Sequence, residues 1–241
     1  MQLIPIKTRK FLPPKDGILD ELYKRLPKLK EGDVLLIASK ILAIHQGRTV
    51  KIKAASEKRK IIRREADYFL PAHAVNRSEI VLTIKDHTLI PSAGIDESNG
   101  NGYYILWPRN VNVLLKKIVR SLQKKYKINK LAAVAIDSHT TPLRWGTQGI
   151  SIGFFGLNPL YDYRGRKDIF GRKLKHTQRN IVDTLADLGA LSMGEGGEQT
   201  PVVILRGAKF VNFSQKNHYK NFVIDPQKDL YRPILRPFLK R

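Results

Sequence analysis

Apolar positions along the chain fall into short uninterrupted runs and into stripes of helical spacing, in irregular order. Residues 2–6 read as a short strand. Residues 12–17 form a turn that opens a helix, in which Ile18, Leu19, Leu22, Tyr23 and Leu26 share one face. Residues 34–38 are an apolar run of strand length after a Glu31-Gly32-Asp33 turn, and residues 40–45 fit helix or strand equally. A charged helix is predicted over 56–68, and strands over 79–84 and 103–107, the latter stopped by Pro108. Between those strands, residues 86–102 are polar, with three glycines and little periodicity, which predicts a long functional loop.

An amphipathic helix is predicted over 110–126, with Val111, Leu114, Leu115, Ile118, Val119 and Leu122 inward. Residues 131–136 are a buried-strand run ending at Asp137. Residues 138–174 are rich in Gly, Pro, Arg and Tyr, with a strand candidate at 150–155. A further helix is expected over 176–192, with Ile181, Leu185, Leu188 and Leu191 inward, then an acidic, glycine-rich loop over 193–199 and a strand over 201–205. Strands and helices mix without strict alternation, so the expected class is α+β or mixed α/β. Beyond Gly207 the chain turns basic and irregular, yet it keeps Phe210, Phe213, Tyr219, Phe222, Tyr231 and Phe238. A solvated tail rarely holds so many apolar residues. The expectation is a folded domain over 1–207, open to division into two lobes, and a basic extension over 208–241. That extension would pack on the body or on a dimer partner, held extended rather than helical by Pro226, Pro233 and Pro237.

Composition narrows the classes. Apolar residues make up 42% of 241, enough for a core, and no Cys is present, which removes disulfides, thiolate metal sites and Cys nucleophiles. The N-terminal apolar run is too short for a signal peptide, and no window approaches a membrane span. A cytoplasmic protein with no membrane partner is expected. Formal net charge is +23, from 44 Lys and Arg against 21 Asp and Glu, a surface that attracts polyanions. Solvated helix faces account for most of the basic runs, and no zinc-finger, RRM-like or helix-turn-helix signature supports nucleic-acid binding.

Against that basic background, three acidic sites stand in loops: Asp96, Asp137-Ser138 after a strand, and Glu195 within Met193-Gly194-Glu195-Gly196-Gly197-Glu198-Gln199-Thr200. Hard cations such as Mg²⁺ favour carboxylate oxygens with phosphate and water, and glycine-flanked amides can approach phosphate. Each site alone also fits an ordinary turn or cap. The histidines show no metal spacing, and neither a Gly-x-Ser-x-Gly elbow nor a P-loop occurs. Arg144 and Arg164 stand in loops as forks for carboxylate or phosphate, or as structural anchors.

In order, Gly32–Lys40, Ala93–Asn99, Asp137-Ser138, Arg144-Trp145-Gly146, Gly149–Gly153, Pro159–Gly165, Phe170-Gly171-Arg172 and 193–203 resemble the coenzyme F-420:γ-glutamyl ligase family, over about residues 3–207. The resemblance implies a two-lobed α+β fold that forms a homodimer. It implies a ligase using GTP (or ATP) and Mg²⁺ or Mn²⁺ to join L-glutamate to a small acidic acceptor, F-420-0 or folate-like, with Asp96, Asp137, Arg144 and Arg164 in catalysis. One metal would sit on Asp96 and Asp137, a second on Ser138 and Glu195. Arg9, Ser39, Lys40, Asn99, Met193, Gly194, Gly196, Gly197, Glu198, Gln199 and Thr200 would contact the nucleotide. The chain departs from the pattern at Ser138, where the family has Thr, at 139–142, and at Ile44, where it has a second lysine. Those departures bring it near the folate γ-glutamate ligase branch. They also keep open a catalytically silent binding module, and the basic surface a nucleic-acid-binding protein.

Overall fold

A computed structural model describes residues 1–70 and 80–239. The elements are β1 (Gln2–Ile6), α1 (Ile18–Arg25), β2 (Asp33–Ala38), α2 (Ser39–His45), β3 (Thr49–Lys51), α3 (Glu57–Glu65), β4 (Tyr68–Phe69), β5 (Leu82–Lys85) and β6 (Thr88–Pro91). They continue with β7 (Tyr103–Ile105), α4 (Val111–Tyr126), β8 (Leu131–His139), β9 (Gln148–Phe155), β10 (Leu160–Asp162), β11 (Gln178–Asn180), α5 (Ile181–Met193), β12 (Val202–Arg206) and α6 (Arg232–Leu239).

The central sheet has the order β1-β12-β2-β8-β9, with β2 and β8 parallel and the other neighbours antiparallel. Its inner strands are apolar runs because both faces are covered. Leu35, Ile37, Ala133 and Ala135 face one core with α1, α2 and α4. Val34, Leu36, Ala132 and Val134 face a second core with α5. Gly189 lets α5 approach the sheet, since a Cβ there would lie 2.3 Å from Ile136 Cδ1. A smaller lobe carries α3 and the β4-β5-β6 sheet around Ile61, Ile62, Val81, Ala93, Ile95, Tyr104 and Leu106. The fold is α+β. Among the described residues no helix is long and apolar enough to cross a membrane.

Several expectations need correction. The predicted 176–192 helix starts only at Ile181, because Gln178–Asn180 pairs with β10. Leu191 is exposed, and the buried stripe is Ile181, Val182, Leu185, Ala186, Gly189 and Met193. The strand expected over 79–84 begins at Leu82, and Glu79 lies outside the described residues. The first part of the expected 86–102 loop is a hairpin strand, Thr88–Pro91, paired with β5. Residues 40–45 are helical. The tail does pack on the body: Phe222 meets Phe154 edge-on at 5.5 Å, and Val211 and Phe238 are buried. It is not wholly extended, because Arg232–Leu239 is a helix that includes Pro233 and Pro237. Burial of Phe238 on this amphipathic turn outweighs the hydrogen bond that Pro237 removes.

Candidate functional site

Sheet register gathers the loops. Parallel pairing aligns Ala38 with Ile136, so the next residues, Ser39 and Asp137, emerge side by side. The Ser39 side chain stands close enough to the Asp137 carboxylate to favour its charged form. Antiparallel β12 enters at the same end, where Ala38 N–H donates to Pro201 O at 2.9 Å, so the 193–200 loop arrives beside β2. Thr8 N–H donates to Gln199 O at 2.9 Å, which brings the segment after β1 alongside.

The loop carrying Asp96 comes from the smaller lobe. Its backbone is fixed by Asp96 N–H to Ile105 O at 3.0 Å and by Ile105 N–H to Asp96 O at 2.8 Å. Lys40 Nζ reaches across to Asp96 Oδ2 at 2.7 Å and to Ser98 O at 2.9 Å. Asn99 Nδ2 donates to Gly196 O at 3.1 Å. On the other side, Ser138 Oγ donates to Glu195 Oε1 at 2.7 Å, and Thr147 Oγ1 lies 3.5 Å from the same oxygen. Glu198 folds back over its own loop and accepts from Gly196 N–H at 2.8 Å.

The two aspartates are in opposite electrostatic states. Desolvation pushes the half-buried Asp137 carboxyl up to about 7; the Ser138 amide and Ser39 hydroxyl oppose the rise, and the nearby Asp96 charge adds to it. Burial raises Asp96 as well, but Lys40 and the Ser98 donors outweigh it and hold that carboxyl below its ordinary value. Gly94 backs the pair: a Cβ there would stand 2.3 Å from Trp107 Cε3 and 3.5 Å from Asp137 Oδ2, and φ is +66°.

The structure thus brings Ser39, Lys40, Asp96, Asn99, Asp137, Ser138, Glu195 and the 194–200 loop to one end of the sheet. Met193 is different, because its side chain is buried in the α5 core and only its carbonyl faces the loop, accepting from Thr200 Oγ1 at 2.9 Å. Arg9 comes near through the backbone, but its guanidinium is bound to Asp16 at 2.7 Å. Arg144 donates only to Leu143 O at 3.0 Å, and Arg164 is occupied by Asp162 at 2.6 Å. Neither arginine contacts Asp96, Asp137 or Glu195 among the described residues. Ser98 and Thr147 join the site without having been singled out; their short side chains carry no signal of their own in sequence.

Over residues 9–207 the chain matches the family model described as F420-0:Gamma-glutamyl ligase. The chain belongs to that family of ligases. Curated relatives agree. The coenzyme F420:L-glutamate ligase of Methanopyrus kandleri is 28% identical, covering 96% of this chain and 98% of its own. That of Methanothermobacter thermautotrophicus is 30% identical over 89% and 90%, and that of Methanosarcina mazei 33% identical over 76% of each.

The donor set is all oxygen, which suits a hard divalent cation and not a soft one. Among the described residues no group of three or more His, Asp or Glu side chains is drawn together tightly enough to hold a metal ion unaided. Any cation would complete its shell with ligand oxygens.

Proposed function

We propose that the protein, acting in the cytoplasm, joins L-glutamate to a carboxylate of an acceptor of the coenzyme F420 type, using GTP or ATP. The supporting observation is the convergence of Ser39-Lys40, Asp96, Asp137-Ser138 and Glu195 at one sheet end in a member of this family. A carboxylate is a poor electrophile, so the acceptor oxygen would first take the terminal phosphoryl group, giving an acyl phosphate and a nucleoside diphosphate. The glutamate amine would then attack the acyl carbon, giving an amide, phosphate and a proton. Lys40 would turn from Asp96 to the phosphates, balancing charge. Ser39 and the Ser138 amide would orient Asp137, and the Gly197 amide, joined by that of Gly196 once Glu198 releases it, would cradle phosphate oxygens. Mg²⁺ or Mn²⁺ would be held by Asp96 and Asp137 on one side and by Ser138 and Glu195 on the other, and when bound supplies charge neutralisation for phosphoryl transfer.

The test is direct. Purified protein with L-glutamate, F420-0 or a folate as acceptor, Mn²⁺ or Mg²⁺, and GTP or ATP is assayed by mass spectrometry. A product one glutamyl residue heavier, with matching nucleoside diphosphate, is expected. Absence of product under every combination removes the ligase reading, and metal-independent ligand binding would then favour a silent module. Binding of RNA with steep salt dependence and no nucleotide turnover would favour the basic-surface reading instead. The same proposal takes the protein as a homodimer. Exposed Trp145, Ile169 and Phe170 give apolar surface for a second copy, and sedimentation as a monomer would count against it.

A further inference from the structure

Trp107, whose ring meets Gly94, also lines a cleft of about 360 Å³ with Arg48, Glu65, Lys85, Arg109 and Asn110. Its carboxylates are already neutralised. Glu65 is held by Arg48 and by Arg64 at 3.4 Å, and Lys85 lies 3.0 Å from Asp67 and 3.8 Å from Asp86. Arg109 makes no ion pair among the described residues, so one cation is left over at the rim.

Two further features point the same way. The 16-residue helix α4 starts here, yet Asn110 offers it no side-chain cap and its first turn has no acidic residue. Its free amides and positive dipole end therefore remain available to an anion. The indole N–H of Trp107, a residue only 1% exposed, has no acceptor among the described residues. A buried donor left so is costly to the fold.

We infer that this cleft is a binding site for a compact oxyanion, a phosphate or carboxylate group, held by Arg109, the α4 N-terminus and the Trp107 indole. The inference stands apart from the ligase reading, since none of these residues belongs to the Asp96–Asp137–Glu195 cluster. It does connect to that cluster: the ring that would donate to the anion abuts Gly94, which in turn backs Asp137.

The protein has two tryptophans, and Trp145 is 94% exposed. A Trp145→Phe protein therefore reports Trp107 alone by its emission. Titration with inorganic phosphate, and separately with L-glutamate, at constant ionic strength should give a saturable change with at least one of them, while chloride gives none. Saturation by phosphate alone assigns a phosphate site, and by glutamate alone a carboxylate site. Arg109→Gln should weaken binding about tenfold, as loss of one charge-assisted hydrogen bond implies. Asn110→Asp, which sets a negative charge at the start of α4, should abolish binding while the protein stays folded. No saturable response to either anion, or parental affinity in both variants, overturns the assignment.

Discussion

Asp137→Asn should make the metal-free protein more stable at alkaline pH, although it removes a group the proposed activity needs. The carboxyl has an ordinary value of 3.8 and sits at about 7 in the fold. Its folded-state value is raised, so the folded state binds the proton more tightly than the unfolded chain does. Stability from this group is therefore full below about pH 4 and is lost as pH climbs towards 7. A gap of about 3 pH units at about 1.36 kcal/mol each gives roughly 4 kcal/mol as the ceiling of that loss. Asp137 is only half-buried, and asparagine gives up part of the bonding to Ser39 and Ser138, so a net gain of about 1–2 kcal/mol near pH 8 is expected. In a domain of this size that is about 2–4 °C of melting temperature per kcal/mol. The assay is thermal unfolding of parent and variant in chelator, near pH 4.5 and near pH 8. The variant should melt with or slightly below the parent in acid and above it in base. Added Mn²⁺ should then raise the parent and leave the variant unmoved. A difference between the two proteins that does not change with pH would refute the desolvation argument.

Lys40→Met should weaken nucleotide binding about tenfold or more by titration calorimetry, since one ammonium serves Asp96, Ser98 and, by proposal, the phosphates. Unchanged affinity with a large loss of melting temperature would make Lys40 a structural strut. Arg206→Met strands the fully buried Asp33, which Arg206 grips at 2.8 and 2.7 Å, and should cost about 3–5 kcal/mol in urea unfolding. A loss under about 1 kcal/mol would mean that the Lys30 amide suffices for Asp33. Truncation after Gly207 uncovers Phe154 and Leu157, and should lower the urea midpoint by a stability loss of at least about 3 kcal/mol. An unchanged midpoint would make the tail energetically idle.

What the sequence revealed follows from what each element buries. Strands β2, β8 and β12 are covered on both faces, so they read as unbroken apolar runs, and α4 keeps one buried stripe that its spacing displays. The hairpin of β5 and β6 stayed hidden because its two-residue turn is Asp86-His87, both at positive φ, where an Asn-Gly pair would have announced it. The start of α5 was misplaced because pairing of Gln178–Asn180 with β10 is a non-local choice that helical spacing cannot show. For the site, residue types and loops were legible but their convergence was not. Ser39 meets Asp137 only because β2 and β8 pair in parallel, and Asp96 meets Lys40 only because a separate lobe folds over α2.

The position of Ile44 carries the argument one step further. It lies one helical turn beyond Lys40, but its side chain is 2% exposed and packs in the main core, whereas Lys40 is 25% exposed and reaches the loops. A lysine at 44 would have to thread its stem out of that core, so apolar packing there leaves α2 contributing a single ammonium to the site. The same end of the sheet carries the carboxylates of Asp96, Asp137, Glu195 and Glu198. This end of the sheet is therefore an acidic island on a chain of net charge +23. A polyphosphate cannot approach such a cluster on the strength of Lys40 alone, because like charges in a partly dehydrated cleft repel strongly. Arg9, Arg144 and Arg164 do not relieve this as folded, since Arg9 and Arg164 are committed to aspartates and Arg144 points to its own loop. Divalent cations are thus what the proposed reaction demands of this arrangement. Nucleotide and metal affinities should rise together, each ligand tightening the other by the same factor.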